Sequence, residues 1–259
     1  MKVEVLISCM YQSGREIISR TNIQTDAVVV NQCDTDSREE FTFSNKSGER
    51  CRALIINSRD RGLSKSRNRA IANSSRDILL LCDDDEILND DYSARIVRAF
   101  RENNDSIIAF RFDSPKKSYP NAARKINIVN AGRLTSHQIA MRRDDIVSNG
   151  IRFNEKMGSG TGNGAGEENK FVVDCLKKGL TGKYVPELIG RIVDGQSQWF
   201  SGYNKKYWID RGWAYKMIHG RVRGLFFVAS AIFRARKIDR ENSIFEIAGW
   251  LFDGFMQKR

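Results

Sequence analysis

This chain has no apolar run able to cross a bilayer. Such a span needs about 20 residues, and the longest stretch, Leu225 to Phe233, reaches roughly half of that. Its start, Met1-Lys2-Val3-Glu4-Val5, has no basic segment followed by an apolar block, so no signal peptide is expected. Cysteine is sparse and unpatterned. Cys9, Cys33, Cys51, Cys82 and Cys175 form an odd set without C-x-x-C spacing, and histidine occurs only at His137 and His219. These shortages argue against a disulfide scaffold and a zinc module. Most of the cysteines lie in apolar runs, as small core residues of a reducing, cytoplasmic compartment do. No internal repeat is present.

What is there suits a globular enzyme. The 259 residues are 41% hydrophobic and 29% charged, enough for one large α/β domain with a helical tail. The net charge of +11 points to an anionic partner: nucleotide, nucleic acid or acidic lipid.

The first part of the chain alternates short apolar runs with helical spacing. Runs occur at Val3–Ile7, Ala27–Val30, Ala53–Ile56, Ile78–Leu81 and Ile107–Phe110. A helix opening on a serine cap is expected over Ser64–Ala72, and another pattern carries Tyr92, Ile96, Val97 and Phe100. Continuous apolar runs separated by helices predict parallel strands in an open, twisted sheet covered on both faces. Ser114 to Asn130 reads as a long loop or irregular hairpin, Ile139–Met141 as a further strand, and Glu167–Lys178 as a helix.

Ligands of such sheets bind beyond the carboxyl ends of the strands. After the fourth run stand Asp83, Asp84, Asp85 and Glu86. Neighbouring carboxylates repel, and alternate ones at a strand end suit a hard cation that also takes phosphate oxygens. The plain alternative is a solvated acidic turn. Gly62 to Asn68 opens a basic helix whose N-terminus suits a diphosphate, or is an ordinary amphipathic helix. Gln32 and Asp34, after the second run, suit a base edge and a ribose hydroxyl, or an Asx turn. The glycines from Gly158 to Gly166 fit neither a dinucleotide fingerprint nor a P-loop. They read as mobile chain, either a lid or a plain flexible loop. Glu167 and Glu168 follow, placed to take a proton from an acceptor or simply to offset a helix dipole.

In this order the opening strand, Gln-Cys-Asp at 32–34, G-L-S-x-x-R-N at 62–68, the aspartates at 83–85 and the late Gly-Glu-acid helix resemble family 2 glycosyltransferases of GT-A fold. Bacterial capsule and exopolysaccharide enzymes are the nearest in character, and the resemblance runs from about Val3 to Tyr203. It implies a UDP-sugar or other nucleotide-sugar donor, Mn²⁺ or Mg²⁺, and inversion at the anomeric carbon. It implies further that Ser8 and Met10 line the nucleotide pocket, with Gln32 and Asp34 near the base and Ser64 and Arg67 by the nucleotide. Asp83 and Asp84 would face the nucleotide, with Asp85 and Asp83 on the metal. The family's base is usually the second acid of a Glu-Asp pair. Here the pair is Glu167-Glu168, so Glu168 is the expected base and Glu167 its rival. Asp194 stands about where relatives often carry a histidine, and would touch metal or diphosphate unless it is a plain loop residue. Trp199 would stack on a sugar unless it is a core residue.

The expected organisation is a catalytic domain over 1–202, with a nucleotide-sugar half to about 112 and an acceptor half from 113, then a basic helical region over 203–259. In that tail Ile218, Val222, Leu225, Phe226, Ala229 and Phe233 share helical spacing, with arginines on either side. Such a helix can lie on an anionic membrane, suiting a lipid-linked acceptor at the inner face, or pack on the catalytic domain. Two alternatives to a transferase acting on a glycan or lipid-linked acceptor stand beside it. One is a sugar nucleotidyltransferase, although the turn after the first strand lacks a glycine-rich basic segment. The other is a nucleic-acid-binding protein, against which stand the triple aspartate and the lack of a nucleic-acid motif.

Overall fold

The computed structural model describes residues 1–114, 117–164, 166–193 and 202–258. The runs form β1 (Val3–Met10), β2 (Asp26–Gln32), β4 (Arg50–Ser58), β5 (Ile78–Asp83) and β7 (Ile107–Asp113), with β3 (Ser37–Ser44) and β6 (Glu86–Leu88) between them. Later in the chain come β8 (Arg124–Lys125), β9 (Ile139–Arg142) and β10 (Gly182–Ile192). Their order across the sheet is β3-β4-β2-β1-β5-β9-β7-β10-β6, with β8 on β10.

The parallel part is β4-β2-β1-β5, together with the β7–β10 pair. β9 enters antiparallel between β5 and β7, and β3 pairs antiparallel on the outer side of β4. The sheet is therefore mixed, and its parallel region β4-β2-β1-β5 is built from the first four apolar runs. β3 and β10 had no counterpart in the sequence reading. β3 is an exposed edge strand with Ser, Arg, Glu and Thr facing out, so it lacks the apolar run of a buried strand.

Helices cover both faces. Leu6, Val28, Leu54 and Leu79 point to one side, where they meet α2 (Leu63–Ala72) and α5 (Glu167–Lys177). Val5, Val29, Ile55 and Leu80 point to the other, towards α1 (Gly14–Arg20) and α3 (Tyr92–Glu102). This is the period-2 alternation of strands buried on both faces. The short α4 (Arg143–Ser148) follows β9. α2 starts differently from the sequence reading. Its N-cap is Gly62, and Ser64 lies inside the helix with its Oγ donating to the Met157 carbonyl at 2.7 Å.

The tail is α6 (Lys205–Ile238) and α7 (Ile244–Met256). α6 breaks at Gly220, where φ is 77° and ψ −177°. Before the break, Trp213, Ala214 and Ile218 join the core between the sheet, α2 and α5. After it, Val228, Ala231 and Ala235 pack with Ile247, Leu251 and Phe255 of α7. α6 and α7 approach backbone to backbone: a Cβ on Gly212 would fall 1.9 Å from the Leu251 carbonyl oxygen, and one on Gly254 1.8 Å from that of Ile209. The two alternatives for the tail are thus divided along one helix. Its first limb is packed on the body, while Val222, Phe226 and Phe233 on its second limb are exposed. Among the described residues no helix is long and apolar enough to cross a membrane.

Candidate active site

Strand register gathers the polar strand ends at one edge. Ser8 lies beside Asp83, Met10 beside Gln32, and Gln32 beside Ser58. Asp83 ends β5, and Asp84 and Asp85 form the tight turn into β6. The acids therefore do not alternate along a strand. They sit on a turn beyond the sheet, with Asp85 exposed and Glu86 buried behind it.

Arg67 of α2 organises this edge. Only 2% exposed, its guanidinium donates Nη2 to Asp83 Oδ1 at 3.1 Å and Nη1 to Glu167 Oε1 at 3.0 Å. A buried cation needs such partners, and the bridge locks the acidic turn to the first turn of α5. Ser136 Oγ donates to Asp83 Oδ2 at 2.9 Å. Arg67 therefore has no exposed face for a nucleotide and acts by positioning the two carboxylates.

The two glutamates are chemically distinct. Glu167 is buried against Arg67. Glu168 is half-buried, and its carboxyl is pushed up to about 8, by burial first and by the Glu167 charge second, with Arg67 opposing. A carboxyl tuned close to neutrality is suited to proton transfer.

Asp84, half-buried in the turn, is also raised, by burial and then by the charge of Asp83, while Asp85 beside it is exposed. Among the described residues neither has a basic side chain within 4 Å of its carboxylate. Carboxylate oxygens grouped on a turn in this way fit a hard divalent cation. Among the described residues no three acidic, histidine or cysteine side chains form a complete cage. Asp194 and Trp199 lie outside the described residues.

The other expected contacts are distributed as follows. Gln32 Oε1 accepts from the Gly62 N–H at 2.7 Å, tying β2 to the start of α2. Asp34 is exposed, and its Oδ1 accepts from Arg61 Nη2 at 2.7 Å and from the Tyr11 hydroxyl at 2.9 Å. Ser8 is buried and its hydroxyl accepts from Ser66 Oγ at 2.9 Å, while Met10 is half-buried at the end of β1. Ser64 is fully buried and leaves no exposed atom for a nucleotide. The glycine segment is tied down rather than free: Leu63 N–H donates to the Ser159 carbonyl at 3.0 Å. Gly158, at φ 99°, sits so close that a Cβ there would meet Glu167 Cγ and Ser64 Oγ, each at 3.2 Å.

Sequence reasoning missed a layer contributed by the polar middle segment. Lys117 Nζ donates to the Arg133 carbonyl at 3.0 Å, Thr135 Oγ1 at 3.1 Å and Gln138 Oε1 at 3.0 Å. Burial lowers its ammonium to about 8, opposed by the charge of Glu168. His137 Nε2 lies 3.1 Å from the Tyr119 hydroxyl, and burial pushes the ring down to about 4, so it is neutral. Behind it, burial and the aspartates hold the Glu86 carboxyl well above its usual range. The polar, aperiodic sequence of this segment gave no signal that it folds back over the acidic turn.

An open α/β sheet thus carries an acidic turn beyond its parallel strands, linked through Arg67 to the first turn of α5. The family model for Glycosyl transferase family 2 matches residues 10–161, more than half of the chain, which therefore belongs to that family and is a glycosyltransferase. This removes the nucleotidyltransferase and nucleic-acid alternatives as its primary class. Among curated proteins none matches this chain. Among solved structures, S. aureus TarS 1–349 is similar at 12% identity and a TM-score of 0.60, over 93% of this chain and 74% of that one. The same protein in complex with UDP is similar at 14% and 0.60, over 93% and 74%. In complex with UDP-GlcNAc the values are 15% and 0.64, over 96% and 78%. The fold is accordingly GT-A-like, with α6 and α7 as a C-terminal helical addition.

Proposed function

We propose that this glycosyltransferase moves a hexose from a UDP-sugar to a hydroxyl of a glycan or lipid-linked acceptor in polysaccharide biosynthesis, inverting the anomeric carbon. The observation that carries the reading is the buried Arg67 bridge, which ties the carboxylates suited to a donor's metal to the glutamates suited to an acceptor's proton. The UDP and UDP-GlcNAc complexes of the similar TarS structures support a UDP-linked donor. Residues 1–112 would form the donor half, 113–202 the acceptor half, and 203–259 the added helical region.

Met10, Gln32 and Asp34 stand at the nucleoside end, with Ser8 buried beneath them. Asp85 and Asp83 are the residues to hold Mn²⁺ or Mg²⁺, with Asp84 beside them. Such an ion, when bound, offsets the charge growing on the leaving diphosphate. Arg67 holds Asp83 and Glu167 in place through its two ion pairs. Glu168 takes the proton from the acceptor hydroxyl as that oxygen attacks from the face opposite the leaving group.

The test is UDP release from UDP-GlcNAc with Mn²⁺, with water as the acceptor of last resort. Asp85→Ala and an excess of chelator are each expected to abolish it. Turnover that persists in Asp85→Ala under chelator ends the metal-dependent reading.

A further inference from the structure

The second limb of α6, residues 221–238, leaves an apolar stripe uncovered. Gly224, Val228, Ala231 and Ala235 recur at helical spacing and are buried, the last three against α7. On the opposite side of the limb stand Val222, Phe226, Ala229 and Phe233, within an arc of about 60°. Val222, Phe226 and Phe233 are 74%, 73% and 84% exposed, so three large apolar side chains in line project into solvent, as they do at a contact surface.

Charge sets this stripe apart. The limb carries Arg221, Arg223, Arg234, Arg236 and Lys237 and no acid. By helical position Arg223 and Lys237 run along one side of the stripe, and Arg221 and Arg236 along the other, all exposed. α7 also exposes Phe245, Phe252 and Met256, but it carries Glu246 and Asp253 and no cation. The second limb folds back along the first: Trp208 Nε1 donates to Asp239 Oδ2 at 2.8 Å, and the His219 ring stacks on Phe227 at 3.6 Å. The first limb abuts the start of α5, where a Cβ on Gly166 would lie 3.2 Å from Ile218 Cδ1. It thus links the second limb to the turn that bears Glu167 and Glu168.

We propose that the second limb of α6 lies on an anionic phospholipid surface, with Val222, Phe226 and Phe233 in the headgroup layer and the flanking cations on lipid phosphates. A helix with an apolar stripe between rows of arginine and lysine rests in the plane of a membrane interface without crossing it. A second copy of the chain fits poorly. In a two-fold contact the patch meets itself, so five cations would oppose five with no acid on the limb to answer them. An acidic protein would need a shaped pocket for each projecting side chain, whereas a lipid surface takes them without one. The inference goes beyond the transferase reading and needs no turnover to test it.

Flotation of the full chain with vesicles of phosphatidylcholine and phosphatidylglycerol tests this. The chain is expected to float with these and not with phosphatidylcholine alone, and raising the salt from about 0.1 M to about 1 M should release it. Phe226→Ser and Phe233→Ser should each weaken binding about tenfold, and Arg223→Gln and Arg236→Gln about fivefold each. Phe252→Ser, on the acidic α7, should change it less than about twofold. Arg236→Glu combined with Lys237→Glu keeps the stripe intact and should abolish flotation. All these side chains are exposed, so the melting temperature is expected to be unchanged. No flotation of the unaltered chain, equal binding to phosphatidylcholine alone, or a loss with Phe252→Ser as large as with Phe226→Ser overturns the proposal. A concentration-dependent dimer that Phe233→Ser dissolves, or capture of a polyglutamate peptide, in either case without vesicle binding, assigns the stripe to a protein contact and also overturns it. UDP affinity with Mg²⁺ is measured separately and should be the same in every variant. A chain that floats but binds no UDP refutes the donor reading alone. One that binds UDP but does not float refutes the membrane contact alone.

Discussion

Replacing Glu168 by glutamine removes a proton acceptor while keeping the size and most of the polarity of the side chain. A positioned general base contributes about 10²–10⁴-fold, and the loss of turnover should fall in that range. The pH dependence is the sharper readout. Burial and Glu167 favour the protonated form of Glu168, and its carboxyl titrates near 8. With one group at that value, about a tenth is ionised at pH 7 and half at pH 8, so the rate should climb about fivefold over that unit. Glu167→Gln removes a like charge and should move the rising limb to lower pH. The same shift has a stability consequence of definite sign. Between the ordinary value of 4.5 and about 8 the folded state holds a proton that the unfolded state has released. Stability therefore falls as pH rises through that window, and Glu168→Gln should flatten the fall. UDP release at single turnover, with melting temperature measured against pH, covers both. A flat profile from pH 6 to 8.5 together with near-normal turnover in Glu168→Gln would refute the assignment.

Three further outcomes follow from the geometry. Arg67→Met strands Glu167 in a buried position and should cost about 3–5 kcal/mol in denaturant unfolding, whereas loss of an exposed pair would cost under about 1 kcal/mol. Gly158→Ala imposes a side chain at φ 99° against Glu167 and Ser64, and should cost about 1–3 kcal/mol by thermal unfolding while lowering turnover through Glu167. Phe226 and Phe233 are 73% and 84% exposed on the second limb of α6, so if that limb rests on an anionic membrane, changing either to serine should weaken flotation with acidic liposomes by about tenfold. Failure of the unaltered chain to float rules the membrane contact out.

The layers that were legible in the sequence are those whose burial is uniform. β1, β2, β4 and β5 are covered on both faces, so they read as unbroken apolar runs, and their polar ends gather at one edge of the sheet. β3 and β10 escaped for opposite reasons. β3 is mostly exposed and reads as polar chain, while β10 carries proline and glutamate through two register shifts and shows no single period. The tail reads as one amphipathic helix because its apolar residues keep helical spacing. The break at Gly220 turns those positions to different environments, so Ile218 is buried in the core while Phe226, eight residues on, faces solvent.

The site shows a finer limit. Spacing identifies charged residues but not their depth, and depth decides what each charge does. Arg67 reads from the sequence as a cation for a diphosphate. Sunk to 2% exposure between Asp83 and Glu167, it serves instead as the fixed link between two carboxylate groups. Its burial also separates the two adjacent glutamates, which the sequence leaves as rivals. The one that meets the guanidinium is held as an ion pair, and the next, without that contact, has its carboxyl raised towards neutrality. One buried cation thus assigns two roles. That is why a change at Arg67 should alter the pH profile carried by Glu168 as well as the stability of the fold.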